Sequence, residues 1–213
     1  RFGNTGLGFG ANLVTDKGYR RLNDNRLGRM NLKVKHDHKN IAGLSYGLSF
    51  NGGLTDKTDF VLWENATTGA LKNSESTAIG LKSHFFTLDP FISFHNVGST
   101  GHDFRARWQS SVNDYPESSQ NNSSASNFYA EYQYSLPFSD IVSINSGLSE
   151  NYSWISSNFY GDHHGLNAGA FTQLDVNATS RMRFTSGVRF EQNWLDNEHD
   201  KIVPLFRAGF NFR

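Results

Sequence analysis

The chain has no cysteine, only 4 prolines and 2 methionines in 213 residues, and no net charge. Each shortage excludes something. Without cysteine there is neither a disulfide scaffold nor a thiolate metal site. The balance of 20 Lys and Arg against 20 Asp and Glu argues against a nucleic-acid partner, because such binding draws on a basic excess to displace counterions. No stretch approaches the roughly 18 consecutive apolar residues that mark a membrane-crossing helix. A GxSxG elbow, an HExxH pair, a P-loop and a cysteine nucleophile are all missing, so no enzyme and no cofactor are expected.

What is present points to strands. Aromatic residues make up 14% of the chain, with 18 Phe and 8 Tyr, and there are 20 glycines. Such a composition favours strands and turns over helices. The clearest stretch is 181–213, RMRFTSGVRFEQNWLDNEHDKIVPLFRAGFNFR. Successive side chains of a strand point to opposite faces. Met182, Phe184, Val188 and Phe190 therefore share one face, and Arg183, Thr185, Arg189 and Glu191 the other. The next strand repeats the rule, with Phe206, Ala208, Phe210 and Phe212 opposite Arg207, Gly209 and Asn211.

The same period of two predicts eight strands upstream, at about 6–15, 27–36, 44–51, 104–109, 128–136, 142–148 and 167–176, with one more within 77–97. In that last segment Asp89-Pro90 predicts a bulge, a break or the end of a loop excursion, since proline cannot donate to a ladder. Phe171 is expected as an inward-facing exception on its strand. The connections alternate in character. DHKN, GSTG (98–101), PFSD and NATS are short; the others, including 52–76, the low-complexity 115–126 and the aromatic 151–165, are long. An up-and-down sheet sorts its connections to two ends in this way, as outer-membrane barrels do, whereas a Greek-key sandwich does not. The predicted fold is all-β: an antiparallel up-and-down transmembrane β-barrel segment of about ten strands, one domain over 1–213. A low mean hydropathy is compatible with this, because a barrel strand carries only half a hydrophobic signal.

The apolar faces carry almost no charge. The opposite faces carry Lys33, Lys35, Arg105, Arg107, Glu131, Arg183, Arg189, Glu191 and Arg207, which are expected to face a hydrated lumen. A basic residue turned to mid-bilayer costs about 2–4 kcal/mol. Tyr46, Trp63, Trp108, Tyr132, Tyr134, Trp154 and Trp194 fall near strand ends, where rings with a polar tip form interfacial belts.

Several fragments (TDKGYR, IAGLSYGLSFNGG, HDFRARWQSS, NFYAEYQYS, HHGLNAGAFTQLD, SGVRFE and PLFRAGFNF) together span nearly the whole chain. In sequence and order they resemble the barrel region of TonB-dependent outer-membrane receptors, especially the Bacteroidetes type. The resemblance implies a barrel of about 22 strands, of which these ten would be a little under half. It implies a bacterial outer-membrane location, contact with outer-membrane lipid, and uptake of a scarce extracellular small ligand of the siderophore, cobalamin or glycan class. Coupling to the TonB complex would run through an N-terminal region and plug outside these residues. The alternative is a small closed outer-membrane barrel with a structural or adhesion role. The last strand, LFRAGFNFR, presents an edge with no partner in the sequence, so further strands are expected to cover it.

His163 and His164 in GDHHG, with Trp154 and Tyr160, are the candidates for contact with an extracellular ligand. Adjacent residues on an extended chain point apart, so the two histidines are not expected to share a metal. His36 and His38 sit at a short turn, and Asp196, Glu198 and Asp200 lack the glycine-centred loop of a calcium site; both sets read as solvated. The lumen arginines could guide an anion, but pairing with Glu131, Glu191, Asp103 and Asp175 is favoured. Asp162, His163 and Asp200 would have to converge for a barrel protease, and no motif places them together.

Overall fold

A slip of one residue in strand register would turn every apolar side chain of that strand to the opposite face, so clean alternation pins the pairing. The computed structural model describes residues 2–67, 72–96 and 100–212. It shows one antiparallel sheet built from β1 (Thr5–Asp16), β2 (Asn25–Asp37), β3 (Leu44–Phe60), β4 (Ala78–His95), β5 (Gly101–Asp114), β6 (Ser123–Pro137), β7 (Val142–Ser157), β8 (Gly161–Asn177), β9 (Met182–Leu195), β10 (Glu198–His199) and β11 (Val203–Phe212). Each strand pairs with the next in sequence, except that β10 and β11 both lie against β9. His199 faces Trp194 and Val203 faces Glu191. Four steps on one side thus match three on the other, and β10–β11 is one strand broken by a bulge. The ten expected strands are all present, the last in two pieces.

The faces segregate as the alternation requires. One row across the sheet reads Lys35, Gly47, Phe91, Arg105, Glu131, Ser149, Gly169 and Glu191. All nine charged residues assigned to the polar face share it. Burial is inverted relative to a water-soluble domain. Among the described residues Ala106 is the single buried hydrophobic one, whereas the Asp175 carboxylate is 2% exposed. Phe9, Leu13, Leu148, Phe206 and Phe212 are exposed. A soluble protein rarely leaves so wide an apolar face bare.

On the apolar face two bands of rings stand apart. Toward the short-turn end, His102 bonds the Tyr132 hydroxyl at 2.7 Å and stacks near Tyr134 at 5.2 Å. Farther along, Trp108 meets Phe86 edge-on at 4.9 Å and Trp154 lies 5.9 Å from Tyr152. On the polar face, rings lie over glycines of adjacent strands, which lets the strands approach while covering the bare backbone. A Cβ on Gly47, Gly53 or Gly147 would stand 2.7, 2.7 and 2.5 Å from the rings of Phe91, Phe85 and Phe171 respectively. Phe171 is thus the inward exception that its strand position predicted.

Pro90 neither bulges nor ends its strand. The β3–β4 ladder runs through it unbroken, while the β4–β5 ladder passes from Leu88–Trp108 to Phe91–Arg105 without pairing Asp89 and Pro90. The register is the same on both sides of the gap, so the missing N–H opens one ladder locally. The Arg107 guanidinium bridges the gap to the Asp89 carboxylate at 2.6 and 3.1 Å.

Three expectations need correction. β3 continues to Phe60 and β6 begins at Ser123, so parts of the segments assigned to loops are strand. The aromatic segment 151–165 is mostly strand as well, since β7 and β8 are joined by residues 158–160 only. One outer connection is therefore short. In these outer parts of the hairpins the two faces no longer differ in polarity, and the alternation that reveals strands disappears there. The GSTG turn falls largely outside the described residues. β1 and β11 are not paired with each other, so the described residues form an open sheet, not a closed ten-strand barrel.

Replacing Gly147 with valine should crowd the Phe171 ring and the Tyr132 carbonyl, each 2.5 Å from the new Cβ. The expected loss is about 1–3 kcal/mol of stability, read as a lower urea midpoint for unfolding from lipid vesicles.

Candidate ligand-facing rim and polar wall

A tilted barrel strand crosses the hydrocarbon in about 9–11 residues. β3, β4, β7 and β8 have 17, 18, 16 and 17 residues. Turns close immediately at one end of the sheet, so the excess length emerges at the other and forms a rim outside the crossing segments.

Neighbouring connections of the rim are tied to one another in order. The first (17–24) holds the second (61–77): the Arg21 guanidinium pairs with Glu75, the Asn73 amide donates to the Arg21 carbonyl, and Arg20 lies between the Tyr19 and Trp63 rings at 4.5 and 4.8 Å. Asn73 is 2% exposed, and its side-chain oxygen has no hydrogen-bond partner among the described residues. Glu117, from the third connection, accepts the Gly80 N–H at 3.2 Å. The fourth connection rests on the third through Asn158, whose amide donates to the Ser119 carbonyl at 2.7 Å.

The final tie uses two of the candidate ligand residues. His163 Nδ1 lies 2.8 Å from Asp196 Oδ2, and its Nε2 lies 3.1 Å from the Tyr160 carbonyl oxygen. The His164 N–H donates to Asp196 Oδ1 at 2.9 Å, with its ring 3.5 Å from the same oxygen. Both ring nitrogens of His163 face acceptors, and only the imidazolium can donate from both. The Asp196 hydrogen bond, then the Tyr160 carbonyl, raise its pKa above the usual imidazole value. His163 and the His164 N–H in turn lower the pKa of Asp196 below the usual carboxylate value.

His163 and His164 are therefore strand residues that converge on one carboxylate. Among the described residues no group of three or more His, Cys, Asp or Glu is arranged to hold a metal. Trp154 is half-exposed beside Tyr152, and Tyr160 projects from the turn with its ring edge-on to Phe159 at 4.8 Å. Asp162 accepts from Ser156 Oγ at 2.6 Å instead of joining His163, so no protease constellation forms. His36 bonds Thr5, and His38 accepts two N–H groups of its own turn.

Below the rim, the polar face carries two hydrogen-bonded belts. Asp175 anchors the lower one: it accepts from Thr185 at 2.6 Å, Gln173 at 2.9 Å and Asn145 at 3.4 Å, and pairs with Arg183 at 3.0 Å. The upper belt centres on Arg189, which pairs with Glu191 and reaches across bare Gly169 to Ser149 Oγ at 2.8 Å. A Cβ on Gly169 would stand 2.9 Å from that guanidinium. In the same belt the Tyr129 hydroxyl donates to Glu131 at 2.6 Å. Pairing therefore consumes Arg183 and Arg189 as expected. Lys35 pairs with Asp37 at 3.1 Å and Arg107 with Asp89, partners the sequence did not indicate. Asp103 binds His95 and Ser93, at 2.8 and 2.5 Å. Arg105, Arg207 and Lys33 form no ion pair among the described residues.

No family model and no curated protein sequence matches the chain. Solved structures do. The FrpB iron transporter from Neisseria meningitidis (F5-1 variant) aligns with a TM-score of 0.75 at 9% identity, over 98% of this chain and 39% of that one. This chain has the fold of part of a TonB-dependent receptor barrel. The ferric yersiniabactin uptake receptor FyuA from Yersinia pestis aligns with a TM-score of 0.59 at 14% identity, over 96% and 38% of the two chains. The receptor in the FpvAI–pyocin S2 complex gives 0.66 at 9% identity, over 97% and 37%. These neighbours are transporters and receptors, not enzymes. The chain spans about two fifths of the FrpB structure. The Bacteroidetes-type likeness rests on the sequence fragments.

Substituting Asp175 with alanine leaves Thr185, Gln173 and Arg183 without their acceptor. The expected cost is about 1–3 kcal/mol, measured by unfolding from lipid vesicles. The rim tie should respond to pH from both sides. The raised imidazole contributes fully below about pH 6.5 and loses its contribution as pH rises through the folded value; the lowered carboxylate contributes fully above about pH 3.9 and loses it as pH falls through its folded value. Protection of the 158–164 hairpin from protease should therefore be greatest between about pH 4 and 6.5, and His163→Ala should abolish its loss at higher pH.

Proposed function

We propose that this chain is part of the wall of a TonB-dependent transporter in a bacterial outer membrane, with its charged face lining the lumen and its stitched rim facing the cell exterior. The observation that carries this is the inverted burial: polar side chains pack among themselves while the apolar face lies bare between two bands of rings. Outer-membrane lipid is the solvent for that face. The open edges at β1 and β11 support a larger barrel over a small closed one, because unpaired backbone groups have no solvent in hydrocarbon.

The ligand is an extracellular small molecule of the scarce-nutrient class. Among siderophore, cobalamin and glycan the reading favours a ferric chelate, supported by neighbours named as an iron transporter and a ferric yersiniabactin uptake receptor. Trp154, Tyr160 and the Tyr19–Arg20–Trp63 group offer rings and a cation at the rim for first contact. Arg105, Arg207 and Lys33, free of ion pairs among the described residues, give the lumen a positive bias toward an anionic cargo. The energy for inward passage would come from a TonB complex through a region outside this chain.

The absence of cysteine makes the orientation testable. In lipid vesicles, Arg105→Cys should react with a charged, water-soluble maleimide and Leu148→Cys should not. Equal labelling of the two, or the reverse order, would show that the faces are assigned wrongly.

A further inference from the structure

The apolar face is not uniform. Where β6 to β9 run side by side, small residues sit between rows of large ones and leave a groove with a cavity volume of about 490 Å³. Ala130, Ala168 and Ala170 floor it; Tyr132, Leu148 and Phe190 wall one side. One hydrogen-bonded row runs along it: Ala130, Glu150, Ala168, Gln192. Glu150 is therefore a carboxylate on the apolar face, nearer the turn end of its strand than the charged row Arg26, Asp56, Lys82 and Asp114 that the same face carries toward the rim. It is exposed, and it forms no hydrogen bond or ion pair among the described residues.

The row climbs toward the rim. Ala130 is seven residues from the turn end of β6 at Pro137, and Gln192 ten from that of β9 at Met182. The extra three residues add roughly 10 Å along the strand. The groove thus begins among alanines deep in the wall and ends between Gln192, Trp194 and Ile202 near the rim. Polarity follows the same gradient. Gln192 already spends its amide nitrogen on the Asp200 carbonyl, at 3.3 Å, so Gln192 and Glu150 both present acceptors, beside the Trp194 indole. An occupant with a slender apolar tail below and a hydrogen-bond-donating cation above matches both the shape and the charge. A protein helix does not fit as well. At about 10–12 Å across, a single turn of one would occupy a volume of this size.

We propose that this groove holds one acyl chain of an aminophospholipid, with its primary ammonium group at Glu150 and Gln192. The proposal rests on the membrane-wall reading above. An ammonium at Glu150 removes the penalty of a lone carboxylate facing lipid, and the alanines are there to admit the chain.

The test is native mass spectrometry of the intact receptor purified in detergent and offered phosphatidylethanolamine, phosphatidylcholine or phosphatidylglycerol. The wild type should retain phosphatidylethanolamine several-fold over phosphatidylcholine, whose quaternary nitrogen has no N–H to donate. Glu150→Gln should keep the apolar groove and lose the preference, and Ala168→Trp should fill the groove and lose retention. Equal retention of the three lipids by the wild type, or a preference that survives in Glu150→Gln, overturns the proposal. So does release of a bound protein, or of a second copy of the chain, by Ala168→Trp in place of lipid. A wild-type chain that stays soluble and monomeric without detergent would instead defeat the membrane-wall reading, a distinct result.

Discussion

On the proposed reading, every backbone N–H and C=O that enters hydrocarbon must find its partner inside the protein, and the rest of this structure follows from that constraint. It accounts for the unbroken succession of antiparallel ladders from β1 to β11 and for the near absence of helix. It also explains where the irregularities lie. The bulge between β10 and β11 is at the rim, where water can satisfy the freed groups. The one gap within a ladder among the described residues, at Pro90, is spanned by a charged pair.

With the backbone satisfied, side chains are released from the task of building an apolar core. The polar face instead holds belts of hydrogen bonds that cross three or four strands. Glycine is the means of crossing. At Gly169 it lets Arg189 reach Ser149 two strands away, and at Gly147 it lets the Phe171 ring lie flat against the sheet. The alternation of large and bare positions ties non-adjacent strands together, which the ladder alone cannot do.

Much of this could be read from the chain itself. Strand number, antiparallel order and the identity of the two faces follow from the period of two, since each apolar face meets one solvent throughout. The outer halves of β3, β7 and β8 could not be read, because above the bilayer the faces no longer differ. Pro90 revealed an interruption but not its form, which depends on which neighbour the missing N–H would have faced. Among the site residues, the nine charged positions were assigned to one face correctly, yet their partners were legible only in part. Asp175 could be named as an acceptor, whereas the Asp89–Arg107 pair and the Asp196 tie to His163 require the register. Glu150 went unremarked because a single charge in an apolar strand looks like noise until its neighbours prove to be alanines.

The gap at Pro90 has a mechanical side. On either side of it, shear between strands is resisted by the alternating narrow and wide pairs of backbone bonds of an antiparallel ladder, which share the load. At Asp89 and Pro90 that load passes to one guanidinium–carboxylate contact held on flexible stems. Strain imposed on the wall concentrates there. Over those two residues the β4–β5 seam depends on side chains where the β3–β4 seam keeps its ladder.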